Sequence, residues 1–144
     1  MKTMVKKIGW AVSICTGLLL AASAPAWAHH AFQAEFDQRK PVKLEGKVTD
    51  MEWINPHAWI HIDVKNPDGT VTNWMVECGS PNIMLRRVFT KRSLETGTDI
   101  VVQGYQAKNG SLRANGSSVT FADGKKLFVG GSNPDLPEND QKKQ

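Results

Sequence analysis

Residues 58–81 have the sequence AWIHIDVKNPDGTVTNWMVECGSP, and this stretch decides the fold. Apolar and polar residues alternate from Ala58 to Lys65, which predicts a strand with one buried face. The segment Asn66-Pro67-Asp68-Gly69 is a turn sequence, because proline fixes one φ angle and glycine accepts a positive one. Val71–Cys78 is therefore predicted to return as the second strand of a hairpin.

The hairpin is followed by a predicted helix. Ser80 can cap its free amides, and Pro81 loses nothing at the first helical position. Helical spacing places four apolar residues on one stripe, and four basic residues on a face that we interpret as solvated. The apolar residues are Met84, Leu85, Val88 and Phe89, and the basic ones are Arg86, Arg87, Lys91 and Arg92.

Further strands are predicted on both sides of this unit. Alternation from Pro41 predicts a strand that continues past a bulge near Thr49–Asp50. Beyond the helix, strands are predicted over Ile100–Ala107, Leu112–Phe121 and Leu127–Val129, and Phe32 and Phe36 precede them all in a lead-in with helical spacing. The order strand, strand, strand, helix, strand, strand predicts an all-β domain with one helix, an OB-like small antiparallel Greek-key barrel. Another small antiparallel barrel or sandwich is the alternative.

The N-terminal segment has the pattern of a secretory signal peptide. Three lysines precede an uncharged apolar run over Ile8–Ala22, and small residues follow it up to Ala28. Cleavage is predicted after Ala28, with Ala26 as the competing site. The apolar run of about 15 residues is shorter than the ~20 that span a bilayer, so no stable membrane anchor is expected. The protein is predicted to be periplasmic or secreted.

The predicted organisation is a signal peptide over 1–28, an OB-like β-barrel domain over 29–129 and a disordered tail over 130–144. Three of the chain's 18 basic residues lie in the signal, so the mature protein has 15 basic and 14 acidic residues. This near-neutral balance and export argue against nucleic-acid binding. Only Cys78 remains after cleavage, so no internal disulfide can form, and a lone cysteine is expected to be a small buried residue.

Three segments also resemble a family of small exported bacterial proteins of unknown function. They are Ala28-His29-His30-Ala31-Phe32, Glu52–Trp59 with its Trp-Ile-Asn-Pro-His motif, and Gly79-Ser80-Pro81-Asn82 followed by Arg86-Arg87. The resemblance covers most of the mature domain. It implies export, a bacterial source and one compact β domain, and it implies no activity.

The four histidines are the best candidates for a binding site. Cleavage after Ala28 would leave His29 with a free amine and an imidazole on one residue, which chelate copper. His57 and His61 lie four apart in the predicted strand, a span of ~13 Å, so one of them is expected to complete the site. We expect His29 and His57 to bind, with His30 or His61 in reserve. Amine and imidazole nitrogens favour Cu(II), and zinc with the same donors is less favoured.

Two other interpretations remain open at this stage. His29 and His30 can be the first residues of a frayed terminus, and His57 and His61 the exposed side of a half-buried strand. In the second interpretation the domain binds a sugar, peptide or protein on its barrel face, with Trp53 and Trp59 as ligand-binding residues. An exposed Trp59 would favour that function. An enzyme ranks last, because a domain of this size leaves little surface for a substrate cleft.

Overall fold

A computed structural model describes residues 32–130 of the protein. The predicted signal peptide, His29, His30 and residues 131–144 of the predicted tail lie outside the described residues. Six strands are described, with one α-helix and one short 3₁₀-helix between the third and fourth. They are β1 (Phe36–Glu52), β2 (Trp59–Lys65), β3 (Val71–Glu77), α1 (Pro81–Arg86), the 3₁₀-helix Lys91–Ser93, β4 (Asp99–Ala107), β5 (Arg113–Phe121) and β6 (Lys126–Phe128).

The strands form one sheet that closes on itself. The long strand β1 pairs antiparallel with β2 along its second half and with β4 along its first. Strand β3 pairs antiparallel with β2 on one side and in parallel with β5 on the other, which completes the ring. The prediction of a mostly antiparallel β domain with few helices is confirmed. The predicted bulge is also present, as a shift of register between Val48 and Asp50.

Alternation along the hairpin separates the core from an outer face. Ile60, Ile62 and Val76 are fully buried in the core, as the sequence pattern predicts. The residues between them point to the opposite face, because successive side chains of a strand alternate. This outer face of β2 and β3 carries Trp59, His61, Met75 and Glu77.

Helix α1 begins as predicted but ends early. The Ser80 Oγ accepts a hydrogen bond from the Ile83 amide at 3.4 Å, and Pro81 is the first helical residue. The helix ends at Arg86, so the prediction of one continuous apolar stripe is wrong. Within residues 32–130, no helix has the length and hydropathy needed to cross a bilayer.

The early end has a local cause. The Val88 amide bonds to Leu85 O and the Phe89 amide to Met84 O, both at 3.0 Å, which is the pattern that closes a helix with a left-handed residue. Val88 is that residue, with a φ of 60° and 82% of its surface exposed. The reversal sends Phe89 back into the core beside Met84, whereas Leu85 and Val88 stay outside it.

The first described residues lie against one end of β4. Residues 32–35 are helical, and the Phe32 ring packs edge-on to Tyr105 with 5.9 Å between ring centres. The Lys108 amide donates a hydrogen bond to Glu35 O at 2.9 Å. These contacts hold Phe32 and Glu35 at the end of β4, on the same side as the outer face of β2 and β3.

Candidate histidine–carboxylate site

His57 lies in the loop between β1 and β2, directly after the cis peptide bond between Asn55 and Pro56. It therefore precedes the strand that was predicted to contain it. The next residue is tied to the chain beyond β3, since the Ala58 amide bonds to Gly79 O at 3.1 Å and Ala58 O accepts from the Cys78 amide at 2.8 Å. These two bonds place His57 beside the last residue of β3.

That last residue is Glu77, which holds the His57 ring. The His57 Nδ1 lies 2.7 Å from Glu77 Oε1, and the Glu77 side chain is only 11% exposed. The hydrogen bond to Glu77 raises the pKa of His57 above its usual value, although partial burial of the ring opposes the rise. The second ring nitrogen, Nε2, has no hydrogen-bond partner within residues 32–130. The contact with Glu77 thus orients the His57 ring and leaves Nε2 available as a donor atom for a ligand.

Arg113 links this pair to the start of the domain. Its Nη2 lies 3.2 Å from Glu35 Oε2 and 4.0 Å from Glu77 Oε2. The guanidinium carbon also stands 5.0 Å from the centre of the Trp59 ring, a cation–π contact. Trp59 is half-buried beneath this cation, and Trp53 packs against the core. Both tryptophans are partly buried, and each already has a neighbour within the domain.

A buried acceptor lies next to Glu77. Asn115 of β5 is paired with Glu77 of β3 on one side and with Tyr105 of β4 on the other, so the three residues form a row across neighbouring strands. Asn115 is 5% exposed, and its Oδ1 has no hydrogen-bond partner among residues 32–130. Buried acceptors are almost always satisfied, so this oxygen marks the row as a place where a further donor fits.

His61 forms a second, separate pair with a carboxylate. Its Nε2 lies 2.6 Å from Glu52 Oε1, and its side chain is 18% exposed. In the described part of the chain, no three His, Cys, Asp or Glu side chains converge in a way that could hold a metal. His57 and His61 therefore do not share a three-donor site built from these residue types within residues 32–130.

Sequence reasoning did not single out Glu77, Glu52 or Arg113 as partners of the histidines. The signal was present in the hairpin, because the short turn after Lys65 fixes the register and sets Trp59 opposite Glu77.

Cys78 conforms to its expected role. It is 2% exposed in the core, where burial raises the pKa of its thiol and leaves it protonated.

Comparison with known proteins gives one match. The model of a family described as "Family of unknown function (DUF6152)" matches residues 17–117 of the chain. No curated protein and no solved structure shows significant similarity to it.

Proposed function

The chain belongs to this family of unknown function, because the match covers more than half of its length, and we propose that it is an exported protein that binds Cu(II) through His29 and His57. The mature N-terminal residue His29 supplies an amine and an imidazole, and His57 supplies a second imidazole. Three nitrogens in a tetragonal arrangement are a donor set that suits Cu(II).

The observation that carries this proposal is the orientation of His57 by Glu77. Histidines that bind metals usually donate their other ring N–H to a carboxylate, which fixes the tautomer and raises the basicity of the ligating nitrogen. The 2.7 Å contact from Nδ1 to Glu77 is such an arrangement, and it leaves Nε2 as the donor.

The position of Phe32 supports the participation of His29. Phe32 packs on Tyr105, which forms the row with Asn115 and Glu77 across adjacent strands. Strands lie about 4.8 Å apart, so this row spans about 10 Å. Residue 29 is three positions before Phe32, and three residues of chain reach up to about 10 Å. The proposal therefore requires the mature terminus to extend from Phe32 along this row toward the His57 ring.

The proposal depends on export and on the cleavage position. The signal pattern supports both, and cleavage after Ala28 would expose His29 as the first residue. Cleavage after Ala26 would instead place a histidine third from the amine, which is a different copper chelate. Zinc remains the less favoured metal, because it prefers a tetrahedral donor set.

The alternative function, a module that binds a sugar, peptide or protein, has weaker support. It relied on Trp59 and Trp53 as a surface for the partner. The Arg113 guanidinium lies over the Trp59 ring, and Trp53 packs against the core. We therefore propose copper binding in preference to this module.

We also infer that the barrel has OB-like topology. Strand β1 pairs with both β2 and β4, β3 pairs in parallel with β5, and helix α1 lies between β3 and β4. This connectivity supports a partly open five-stranded Greek-key barrel to which β6 is added.

The test uses the mature protein exported and processed by a bacterial host, with its N-terminus checked by mass spectrometry. Copper(II) is titrated against a competing chelator, and EPR spectra report the nitrogen donors. We expect one tight site, and we expect His57→Gln to weaken it by at least about tenfold, or 1.4 kcal/mol. His61→Gln is the matched control, since it changes the other described histidine and should have no more than about a twofold effect.

A form with an extra methionine before His29 tests the terminus. It should lose tight binding, because its amine no longer belongs to a histidine. Wild-type affinity no tighter than tens of micromolar, on the order of nonspecific imidazole binding, would overturn the proposal. An unchanged spectrum in both His57→Gln and the extended form would overturn it as well.

A further inference from the structure

We propose a second metal site, for a soft monovalent cation such as Cu(I), formed by the imidazole of His61 and the thioether of Met75. This site is on the outer face of the hairpin and lies wholly within the described residues. It does not use the N-terminus or His57, so it stands independently of the Cu(II) site.

Strand register brings the two donors together. His61 of β2 is directly opposite Met75 of β3 in their antiparallel pair. Residues that face each other in this way have Cβ atoms about 4.5–5.5 Å apart, so their side chains meet on the same face. Both side chains point away from the core, since their neighbours Ile60, Ile62 and Val76 fill it.

Glu52 orients the His61 ring so that Nδ1, the ring nitrogen nearer the backbone, is available to bind a cation. Glu52 holds Nε2 at 2.6 Å, and Nδ1 has no hydrogen-bond partner among residues 32–130. A carboxylate on one ring nitrogen is the usual support for a metal on the other. Because Nδ1 is the nitrogen nearer the backbone, its closest potential partners are the residues opposite His61 on the adjacent strands, Asp50 on β1 and Met75 on β3.

Met75 differs from the other methionines of the described region. Met51 and Met84 are buried in the core, where their side chains are explained by packing. Met75 is half-buried on the outer face and belongs to neither core cluster. A thioether is a soft ligand that selects Cu(I) over harder divalent ions. Its placement against an oriented imidazole therefore favours a soft cation.

The charges around this pair suit a cation. Asp50 is opposite His61 on β1, and Glu52 contacts its ring. On the other side, Arg113 is paired in register with Met75, but its guanidinium is engaged by Glu35 and lies over Trp59. Two carboxylates thus flank His61, and the cation in register with Met75 is already engaged with Glu35.

Silver(I) is the probe, because it has the soft character of Cu(I) and is not oxidised in air. The protein is prepared with ¹³C-methyl methionine and with an extra residue before His29, so that the Cu(II) site is disabled. We expect one equivalent of Ag(I) to shift the Met75 methyl signal while Met51 and Met84 stay in place. The His61 ring nitrogens should shift at the same stoichiometry.

Met75→Leu keeps the volume of the side chain and removes the sulfur. We expect it to weaken Ag(I) binding by at least about tenfold, and His61→Gln to do the same, whereas Met51→Leu should change it by less than about twofold. An unmoved Met75 methyl signal at one equivalent would overturn the proposal. Wild-type affinity in Met75→Leu would also overturn it. The methyl shift in the unmutated protein keeps the test valid if a variant fails to fold.

Discussion

The two histidine–carboxylate pairs lie on the same side of the hairpin and differ in which ring nitrogen is held. His57 is in a loop, its Nδ1 is bound by Glu77, and 42% of its side chain is exposed. His61 is within β2, its Nε2 is bound by Glu52, and 18% of its side chain is exposed. The same two residue types therefore give two different environments for a metal.

The difference determines which partner each ring can have. The Nε2 of His57 is the ring nitrogen farther from its own backbone, so it can contact a donor that is not a neighbour in the sheet. The free Nδ1 of His61 lies close to β2, so its partner has to be a neighbour in the sheet. Strand register supplies that neighbour as Met75. The choice of ring nitrogen thus distinguishes the proposed Cu(II) site from the proposed soft-cation site.

Replacing each carboxylate in turn with an amide should weaken the binding of one metal and not of the other, and this is the largest effect we expect. Loss of a carboxylate behind a metal-binding histidine typically costs 10–100-fold in affinity. Glu77→Gln should weaken Cu(II) binding by about this factor and leave Ag(I) binding within about twofold. Glu52→Gln should do the reverse. Competition titrations of the processed protein measure both constants.

Each carboxylate variant is the control for the other. Equal losses of both metals in both variants would mean that the changes act through the fold and that the two sites are not distinct. Circular dichroism of the variants checks that the sheet is intact.

The two carboxylate variants should also differ in the stability of the metal-free protein. This difference is expected to be smaller, with the larger loss in Glu77→Gln. The side chain of Glu77 is nearly buried and interacts with both His57 and Arg113, so Glu77→Gln should lower the free energy of unfolding by about 1–2 kcal/mol. Glu52 is more exposed and, within residues 32–130, is paired with His61, so Glu52→Gln should cost less than about 1 kcal/mol. Urea denaturation with an unchanged m-value tests this order. A larger loss for Glu52→Gln would contradict it.

The sequence predicted the pattern of strands, but it did not predict the two histidine–carboxylate pairs. Alternation predicted which residues of β2 face the core, and the turn after Lys65 predicted the hairpin. The carboxylates were missed because each is distant from its histidine along the chain, and only the register brings them together. The hairpin register itself was predictable, so the pairing of Trp59 with Glu77 could have been derived.

The end of helix α1 was not predictable in the same way. Helical periodicity continued through Val88 and Phe89, and no glycine marked a stop. The chain instead places Val88 in the left-handed conformation that glycine usually adopts at a helix end. A β-branched residue is disfavoured there, so local propensity indicated a longer helix. The gain from burying Phe89 in the core outweighed that preference.

The smallest expected effect is the pH dependence of the His57–Glu77 pair in the metal-free protein. The hydrogen bond to Glu77 raises the pKa of His57 in the folded state above its value of about 6.5 in an unfolded chain. The folded state therefore binds this proton more tightly. The resulting stabilisation is fully present below the unfolded pKa and is lost as the pH rises through the folded pKa.

NMR titration of the His57 ring should accordingly give a midpoint above 6.5 in the wild type and a lower midpoint in Glu77→Gln. Glu52→Gln should leave the His57 midpoint in place, because Glu52 contacts the other ring. The difference in unfolding free energy between wild type and Glu77→Gln should shrink as the pH is raised from about 5.5 to 8.5, across the range in which histidine titrates. A difference that stays constant over this range would mean that Glu77 stabilises the fold through Arg113 and not through the His57 ring.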